Sequence, residues 1–134
     1  ICGGEALPPE TLKAWYKCSM TGVRLINAYG PTEATITSVT FTVPEDITPI
    51  ESYTNIPIGH PLPNRKVYIL DSHKNLVPIG AVGELYIGGG LALGYLNRPE
   101  LTAERFIFHA FNNEPEARLY KTGDLARNLP NGDI

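Results

Sequence analysis

The residues best suited to chemistry lie in one short stretch, Asn27-Ala28-Tyr29-Gly30-Pro31-Thr32-Glu33. Tyr29 offers an aromatic face for a nucleotide base, and Asn27 offers an amide for a base edge. The Thr32 hydroxyl can meet a phosphate, and Glu33 can hold a hard cation such as Mg²⁺. The same residues also fit a turn at the Gly-Pro step, with Thr32 as a helix N-cap and a core tyrosine. Residue types alone therefore leave a nucleotide site and a plain capped turn both open.

A second candidate is Asp124, which follows Leu119-Tyr120-Lys121-Thr122-Gly123. That sequence predicts a strand, a turn at Thr122-Gly123, and a returning strand at residues 125–127. A carboxylate at such a turn can accept two hydrogen bonds from a ribose diol. It can equally cap its own turn, so both roles stay open.

Other reactive side chains carry weaker signals. His60 is a candidate general base, but a histidine between a glycine and a proline has no evident partner. The glycines at 88–90 lack the helix and later acid of a dinucleotide fingerprint. Cys2 and Cys18 lack metal-ligand spacing, which predicts free thiols in a reducing compartment.

Short elements must position the central stretch. Residues 23–26 predict a strand that leads into it, and residues 34–43, which are largely β-branched, predict a strand that follows it. The apolar face of this second strand, which we expect to meet the core, consists of Thr37, Val39, Phe41 and Val43.

The remaining elements follow from periodicity and from turn residues. A helix is predicted to begin at Pro8-Pro9-Glu10, because proline and an acid favour the first helical turn. Its buried face should be the i, i+3, i+4 set of Leu12, Trp15 and Tyr16. Further along we expect a loop at 44–57, strands at 65–71 and 83–87, a short helix at 98–106 and a polar loop at 109–118.

Composition narrows the class of protein. The 134 residues are 43% hydrophobic, which is enough for a folded core. The net charge of −3 and the lack of a Lys/Arg run argue against nucleic acid as the main partner. No apolar run approaches the roughly 20 residues of a membrane helix, and we expect no signal peptide. We therefore expect a cytoplasmic location, and the missing initiator Met predicts a partial sequence.

Four stretches in order resemble the motifs of adenylate-forming enzymes, in the form typical of nonribosomal peptide synthetase adenylation domains. The central stretch is one of them, and Gly3-Gly4-Glu5-Ala6-Leu7 precedes it. The others are Gly83-Glu84-Leu85-Tyr86-Ile87-Gly88-Gly89-Gly90-Leu91-Ala92-Leu93-Gly94-Tyr95-Leu96 and Tyr120-Lys121-Thr122-Gly123-Asp124-Leu125-Ala126-Arg127. The resemblance covers essentially the whole chain.

The resemblance implies an α/β plus β fold, part of the large N-terminal domain of such an enzyme. Residues 1–58 would be a partial α/β subdomain with a mainly parallel sheet, carrying the nucleotide and substrate motif. Residues 59–134 would be part of a small distorted β-barrel subdomain that carries the ribose motif. Neither part would be complete, so we expect exposed strand edges and apolar surface.

The resemblance also implies roles for individual residues. Thr32 and Glu33 would be catalytic, with Thr32 at the phosphate and Glu33 at Mg²⁺. Tyr29 would stack on adenine, Asn27 would help to hold the adenine edge, and Asp124 would fix the ribose. The full set of residues expected around ATP is Gly4, Glu5, Asn27, Tyr29, Gly30, Thr32 and Asp124.

The implied reaction joins an amino acid to ATP, forms an aminoacyl adenylate and pyrophosphate, and then transfers the acyl group to a carrier-protein phosphopantetheine thiol. The expected partners are the amino acid, a peptidyl carrier domain and other synthetase domains. The family's phosphate loop, its amine-binding Asp and its small C-terminal domain with a catalytic Lys are not in this sequence. We therefore expect these 134 residues alone to be inactive.

Two alternatives stay open. An acyl- or aryl-CoA ligase of the same superfamily would share the Tyr-Gly-x-Thr-Glu and Thr-Gly-Asp motifs. A non-catalytic β-rich interaction module belongs to another class, and the ordered motifs argue against it.

The resemblance places the substrate side chain against Ile1, Gly3, Ala28, Ile36 and Thr37. None of these is charged, so a charged substrate would lose hydration without gaining a partner there. We therefore expect a neutral hydrophobic or aromatic amino acid, with Thr37 able to meet a hydroxyl.

Overall fold

The computed structural model describes residues 1–18, 20, 22–46, 55–111 and 114–134 and contains two four-stranded sheets. The elements in chain order are β1 (Cys2–Gly3), α1 (Pro9–Lys17), β2 (Ile26–Tyr29), a 3₁₀ turn (Thr32–Ala34), β3 (Val39–Thr42), β4 (His60–Pro61), β5 (Lys66–Leu70), β6 (Gly83–Gly88), α2 (Pro99–Arg105), β7 (Phe106–Phe111) and β8 (Glu114–Ala126). Much of the predicted loop at 44–57, namely residues 47–54, lies outside the described residues.

The first sheet has the order β1-β2-β3-β4, and most of its pairings are antiparallel. Only β1 and β2 run parallel, joined by α1, whereas β2–β3 and β3–β4 are antiparallel. The prediction of a mainly parallel sheet is therefore wrong. A parallel pair needs a long crossover such as α1, and the short connection between β2 and β3 returns the chain alongside itself.

Helix α1 packs on this sheet through the predicted face. Leu12 is fully buried, while Trp15 and Tyr16 are partly buried. Leu12 joins a core cluster with Phe41 of β3, with Val43 just after that strand and with Ile56 before β4. The amphipathic pattern thus located the helix and its packing.

The elements around the central stretch differ from their predicted bounds. β2 contains the motif residues Asn27 to Tyr29 themselves and does not end before them. β3 begins only at Val39, because Thr35 and Ile36 adopt left-handed backbone angles, with φ of 60° and 67°. The predicted inward face is confirmed at Val39, Phe41 and Val43, which are all buried.

The second sheet has the order β5-β6-β8-β7, and every pairing is antiparallel. Within the described residues this sheet is open and does not close into a barrel. Its core includes Leu70, Tyr86 and Leu119, with Tyr68 and Ile107 packed against them.

Two predictions in this half are wrong. In the segment at 109–118, expected to be a polar loop, residues 109–111 belong to β7 and residues 114–118 to β8, which pair antiparallel. No turn reverses the chain at Thr122-Gly123, because β8 continues for 13 residues. Its register along β6 shifts between Glu84 and Tyr86, and Gly123 has a φ of 84°. A β-bulge can contain residues that are typical of turns, such as glycine with a left-handed angle, while the strand continues.

Among the described residues, backbone hydrogen bonds link the segments that flank the two sheets at two places. Ile58 N–H donates to Ile134 O at 2.8 Å, and Ile134 N–H donates to Gly59 O at 3.1 Å. At the other place, Ala92 N–H donates to Glu33 O at 2.8 Å. Because Glu33 is the last residue of the central stretch, this second link attaches the glycine-rich segment to the candidate site.

Several large apolar side chains are exposed, in agreement with the predicted apolar surface; they include Ile1, Ile36, Leu93, Leu96, Phe108 and Leu125. None of the helices in the described residues has the length and apolar character needed to cross a membrane.

Candidate functional site

A cavity of about 470 Å³ lies where the two sheets meet. It brings together seven of the residues singled out from the sequence, which are Gly4, Glu5, Asn27, Ala28, Tyr29, Gly30 and Asp124. The first six come from the turn after β1, from β2 and from the turn after β2, and Asp124 comes from β8. The cavity therefore joins the two stretches that sequence reasoning treated separately.

Tyr29 and Asp124 are in direct contact across this cavity. The Tyr29 hydroxyl donates a hydrogen bond to Asp124 Oδ2, although 95 positions separate the two residues in the sequence. Burial, together with this hydrogen bond and the Asp124 charge, raises the pKa of Tyr29 well above its usual value. Tyr29 therefore stays a neutral donor at physiological pH.

Local structure in β8 turns Asp124 toward that contact. Thr122 Oγ1 donates to Leu85 O on β6 at 2.8 Å and accepts from Asp124 N–H at 3.0 Å. Gly123 takes the left-handed angle between them. The Asp124 N–H is thus bonded by Thr122, and the carboxylate faces Tyr29.

Asn27 and Gly3 shape the floor of the site. Asn27 is buried, and its Nδ2 donates to Pro57 O at 2.9 Å, which ties β2 to the segment before β4. Gly3 lies beside Ala28 in the β1–β2 pair, where an added Cβ would come within 2.3 Å of Ala28 O. Only glycine allows this close approach of the two strands.

Thr32 lies outside the cavity lining and is exposed. The prediction that Thr32 caps a helix is wrong. Pro31 occupies the N-cap position, no side chain caps this end, and Thr32 is the first residue of the 3₁₀ turn. A proline before the turn sets an extended backbone angle, so the turn begins one residue earlier than a threonine cap would place it.

Glu33 also lies outside the cavity lining, and a tyrosine from the second half of the chain holds its carboxylate. Tyr95 donates its hydroxyl to Glu33 Oε1 at 2.5 Å. Burial alone would raise the pKa of Glu33. However, hydrogen bonds from Tyr95, from its own backbone and from Tyr120, and the charge of Arg105, together lower it. Glu33 is therefore an ionised, oriented carboxylate.

The five residues expected around the substrate side chain do not all gather in this cavity. Ala28 lines it, and Gly3 is its neighbour in β1. Ile1 is 90% exposed and Ile36 is 74% exposed, while Thr37 is partly buried. Of these five residues, only Ala28 lines the cavity, so the expected side-chain pocket stays a prediction.

His60 does have a partner, contrary to the sequence-based expectation. Its Nδ1 lies 3.1 Å from Asp133 Oδ1, and Asp133 also accepts from Asn131 Nδ2 at 2.7 Å. This cluster fastens β4 to the residues after β8. A separate cavity of about 460 Å³ lies between Ile56, Arg127 and Ile134 and contains none of the predicted site residues.

Sequence reasoning missed the role of Tyr95 and Tyr120. Both lie in stretches that carry the family resemblance, but nothing in their spacing connects them to Glu33. The sequence does show that both residues are tyrosines, and a tyrosine packed into a core usually has a hydrogen-bond partner for its hydroxyl. The partner itself is set only by the folding of the two halves together.

The chain belongs to the AMP-binding enzyme family, whose model matches residues 1–96. A linear gramicidin synthase of Brevibacillus parabrevis is 57% identical over 137 residues, covering 100% of this chain and 2% of the relative. Malpinin synthetase of Mortierella alpina is 49% identical over 133 residues, covering 98% of this chain and 2% of the relative. The chain thus spans only a small part of the length of these relatives.

Solved structures agree. The Klebsiella oxytoca NpsA N-terminal subdomain in complex with 3-hydroxybenzoyl-AMSN has a TM-score of 0.85 at 27% identity, covering 98% of this chain and 31% of that chain. PA1221, described as an NRPS protein containing adenylation and PCP domains, has a TM-score of 0.87 at 29% identity, covering 98% and 26%. The resemblance to peptide synthetase adenylation domains, and the fold class of part of their N-terminal subdomain, are confirmed.

Proposed function

We propose that this chain is part of an amino acid adenylation domain in nonribosomal peptide synthesis. The observation that carries the proposal is the meeting of Tyr29 and Asp124, with Gly4, Glu5 and Asn27, around one cavity. An aromatic ring, a carboxylate and close backbone approach are what a nucleoside requires. The identity of 57% to a linear gramicidin synthase supports the peptide synthetase type over other members of the family.

In this proposal each side chain has a separate task in ATP binding. The Tyr29 ring supports the adenine, and the Asn27 amide helps to define its edge. Asp124 accepts hydrogen bonds from the ribose hydroxyls. Its hydrogen bond from the Tyr29 hydroxyl is then either lost or retained on the second carboxylate oxygen. Thr32, exposed at the start of the 3₁₀ turn, contacts phosphate.

Mg²⁺ fits this site only together with the nucleotide. No group of three His, Cys, Asp or Glu side chains in the described part of the chain could hold a metal by itself. Magnesium sites with phosphates usually take one or two carboxylates, with waters and phosphate oxygens completing the shell. The ionised Glu33 is such a carboxylate, and the cation would neutralise phosphate charge there.

The proposed reaction has two steps. A carboxylate oxygen of the amino acid attacks the α-phosphorus of ATP, and the bond to pyrophosphate breaks. The thiolate of a carrier-bound phosphopantetheine then attacks the acyl carbonyl, and AMP leaves. Protein groups orient the carboxylate and stabilise the charge that develops on phosphorus.

The substrate is proposed to be a neutral hydrophobic or aromatic amino acid. Ala28 lines the cavity and is small, and the neighbouring Gly3 leaves no room for a side chain between the strands. Burying an apolar substrate side chain there contributes about 25 cal/mol per Å². Neither residue offers a charge to pair with Asp, Glu, Lys or Arg.

Exchange of labelled pyrophosphate into ATP by the full-length parent protein tests the function, with amino acids of every side-chain class supplied in turn. We expect exchange that depends on a neutral hydrophobic or aromatic amino acid. Activity with fatty or aryl acids and CoA, and none with amino acids, would identify a CoA ligase. A preference for a charged amino acid would contradict the proposed substrate class alone.

Replacing Ala28 with Trp checks the pocket wall in the same assay. The indole would occupy part of the cavity that Ala28 lines, so large substrates should lose exchange activity while small ones keep it. Ala14→Trp, on the exposed side of α1, is the matched control and should alter neither. Equal loss for large and small amino acids in the Ala28 variant would place this residue away from the side-chain pocket.

A further inference from the structure

The carboxylate of Glu33 is held in place from the opposite half of the chain. Its own element is a 3₁₀ turn of three residues without a side-chain cap, which is a weak support. The Tyr95 hydroxyl, 62 positions away in the sequence, donates to Glu33 Oε1 at 2.5 Å. The orientation of this carboxylate thus depends on where Tyr95 is fixed.

Tyr95 is itself packed into a cluster of aromatic rings. Its ring meets Phe106 edge-on with centroids 5.7 Å apart, and the Phe106 ring lies 5.1 Å from Tyr120. The Tyr120 hydroxyl is 3.4 Å from the Tyr95 hydroxyl. Phe106 and Tyr120 are 4% and 6% exposed, so this support is buried and well packed.

The backbone of Glu33 is attached to the same unit. Ala92 N–H donates to Glu33 O at 2.8 Å, and Arg118 donates to Ala92 O at 2.6 Å. The Arg118 guanidinium also lies 4.4 Å above the Phe106 ring. The main chain and the side chain of Glu33 are therefore both connected to the aromatic cluster of Tyr95, Phe106 and Tyr120.

We propose that Tyr95 is a positioning residue, which orients the Glu33 carboxylate for the divalent cation that accompanies ATP, and that Tyr120 supports Tyr95. The inference rests on the proposed function, because it assigns Glu33 to that cation. Magnesium demands near-octahedral geometry, so a carboxylate without a fixed orientation binds it poorly. Hydrogen-bonded partners of metal ligands typically change metal affinity by about 10–100-fold.

The test measures cation binding without turnover. In the full-length parent protein, Mn²⁺ is titrated in the presence of α,β-methylene-ATP, and free Mn²⁺ is followed by electron paramagnetic resonance. Tyr95→Phe keeps the ring and its contact with Phe106 but removes the hydroxyl. We expect its Mn²⁺ affinity to fall about tenfold, and that of Tyr120→Phe to fall by roughly two- to threefold.

Tyr86→Phe is the matched control. Tyr86 is a buried tyrosine of the same sheet that also donates to a glutamate, Glu84, at 3.2 Å. Its hydroxyl bonds Glu84 and not Glu33, so its loss should leave Mn²⁺ affinity at the wild-type value. In a Glu33→Gln background, Tyr95→Phe should cause no additional loss, because Tyr95 acts through Glu33.

Unchanged or tighter Mn²⁺ binding by Tyr95→Phe overturns the inference, since the tyrosine would then only pack, or would compete with the cation. Should Tyr95→Phe fail to fold, Tyr120→Phe decides by the same criterion. Failure of the proposed function looks different, because the wild-type protein itself would then lack amino-acid-dependent exchange. Wild-type exchange together with an unaltered Tyr95→Phe variant would reject the inference alone.

Discussion

At the scale of single residues, Asp124 and Tyr29 connect the two halves of the chain through one hydrogen bond. Each residue type had two open roles in the sequence, a ligand role and a role in its own turn. In the structure the Asp124 carboxylate accepts from the Tyr29 hydroxyl, and its backbone N–H donates to Thr122 Oγ1. The Tyr29 hydroxyl thus has its partner across the cavity.

Replacing Asp124 with Ala in the parent enzyme should weaken ATP use while the fold is retained. Hydrogen bonds to a charged group contribute about 1.5–3 kcal/mol each, and Asp124 is exposed, so its removal leaves no cavity. The expected result is a raised KM for ATP in steady-state exchange kinetics. Asp71→Ala, which removes a carboxylate that bonds its own turn, is the control and should leave ATP kinetics unaltered. Wild-type ATP kinetics in Asp124→Ala would exclude a ribose contact.

The raised pKa of Tyr86 predicts that the free energy of unfolding falls at alkaline pH. Burial, with the charge of Glu84 and the hydrogen bond to it, raises the pKa of Tyr86 from 10.0 to about 12. The folded state therefore holds this proton more tightly than the unfolded state does. The resulting stability is fully present below pH 10 and is lost as the pH rises toward 12. Urea unfolding of wild type and Tyr86→Phe between pH 9 and about 12 should show a shallower decline for the variant. Parallel curves would mean that Tyr86 titrates alike in both states.

At the scale of elements, the connection between β2 and β3 is under backbone strain. Thr35 and Ile36 are β-branched and both take left-handed angles, which typically cost about 1–2 kcal/mol per residue. Ile36 N–H donates to Pro31 O at 3.2 Å, and Ser38 N–H donates to Tyr29 O at 2.9 Å, so the tight turn is fixed at both ends. Such strain persists because these bonds and the link between Thr35 and Gly90 hold it.

Glycine substitutions at residues 35 and 36 separate the free-energy cost of the left-handed backbone angles from the contribution of the side-chain contacts. Ile36→Gly should stabilise the protein by about 1 kcal/mol, because Ile36 is largely exposed and glycine adopts the left-handed angle freely. Thr35→Gly gains the same relief but loses the 2.7 Å hydrogen bond from Thr35 Oγ1 to Gly90 O, so its net change should be near zero. Chemical denaturation of the parent protein measures both. A destabilised Ile36→Gly would show that the isoleucine packs against residues outside this chain.

At the scale of the whole molecule, local patterns identified most elements but not how they combine. The periodicity of α1 and the alternation in β3 follow from which side chains must leave water, so Leu12, Val39 and Phe41 were placed correctly. The direction of β3, the continuity of β8 and the Glu33–Tyr95 contact depend on pairing between distant segments. A bulge such as that at Gly123 has the same residue types as a turn, and only the partner strand β6 distinguishes them.

The same long-range pairing predicts how the molecule responds to nucleotide. The cavity is built from β2 and its following turn on one side and from β8 on the other, so a ligand that fills it must contact both sheets at once. In hydrogen–deuterium exchange of the parent protein, an unreactive ATP analogue should protect residues 26–31 and 120–126 together, at the same ligand concentration. Helix α1 packs on the first sheet through Leu12 and does not line the cavity, so its amides should be unaffected. Protection of only one of the two segments would mean that the nucleotide binds one sheet alone, and Asp124 and Tyr29 would then act separately.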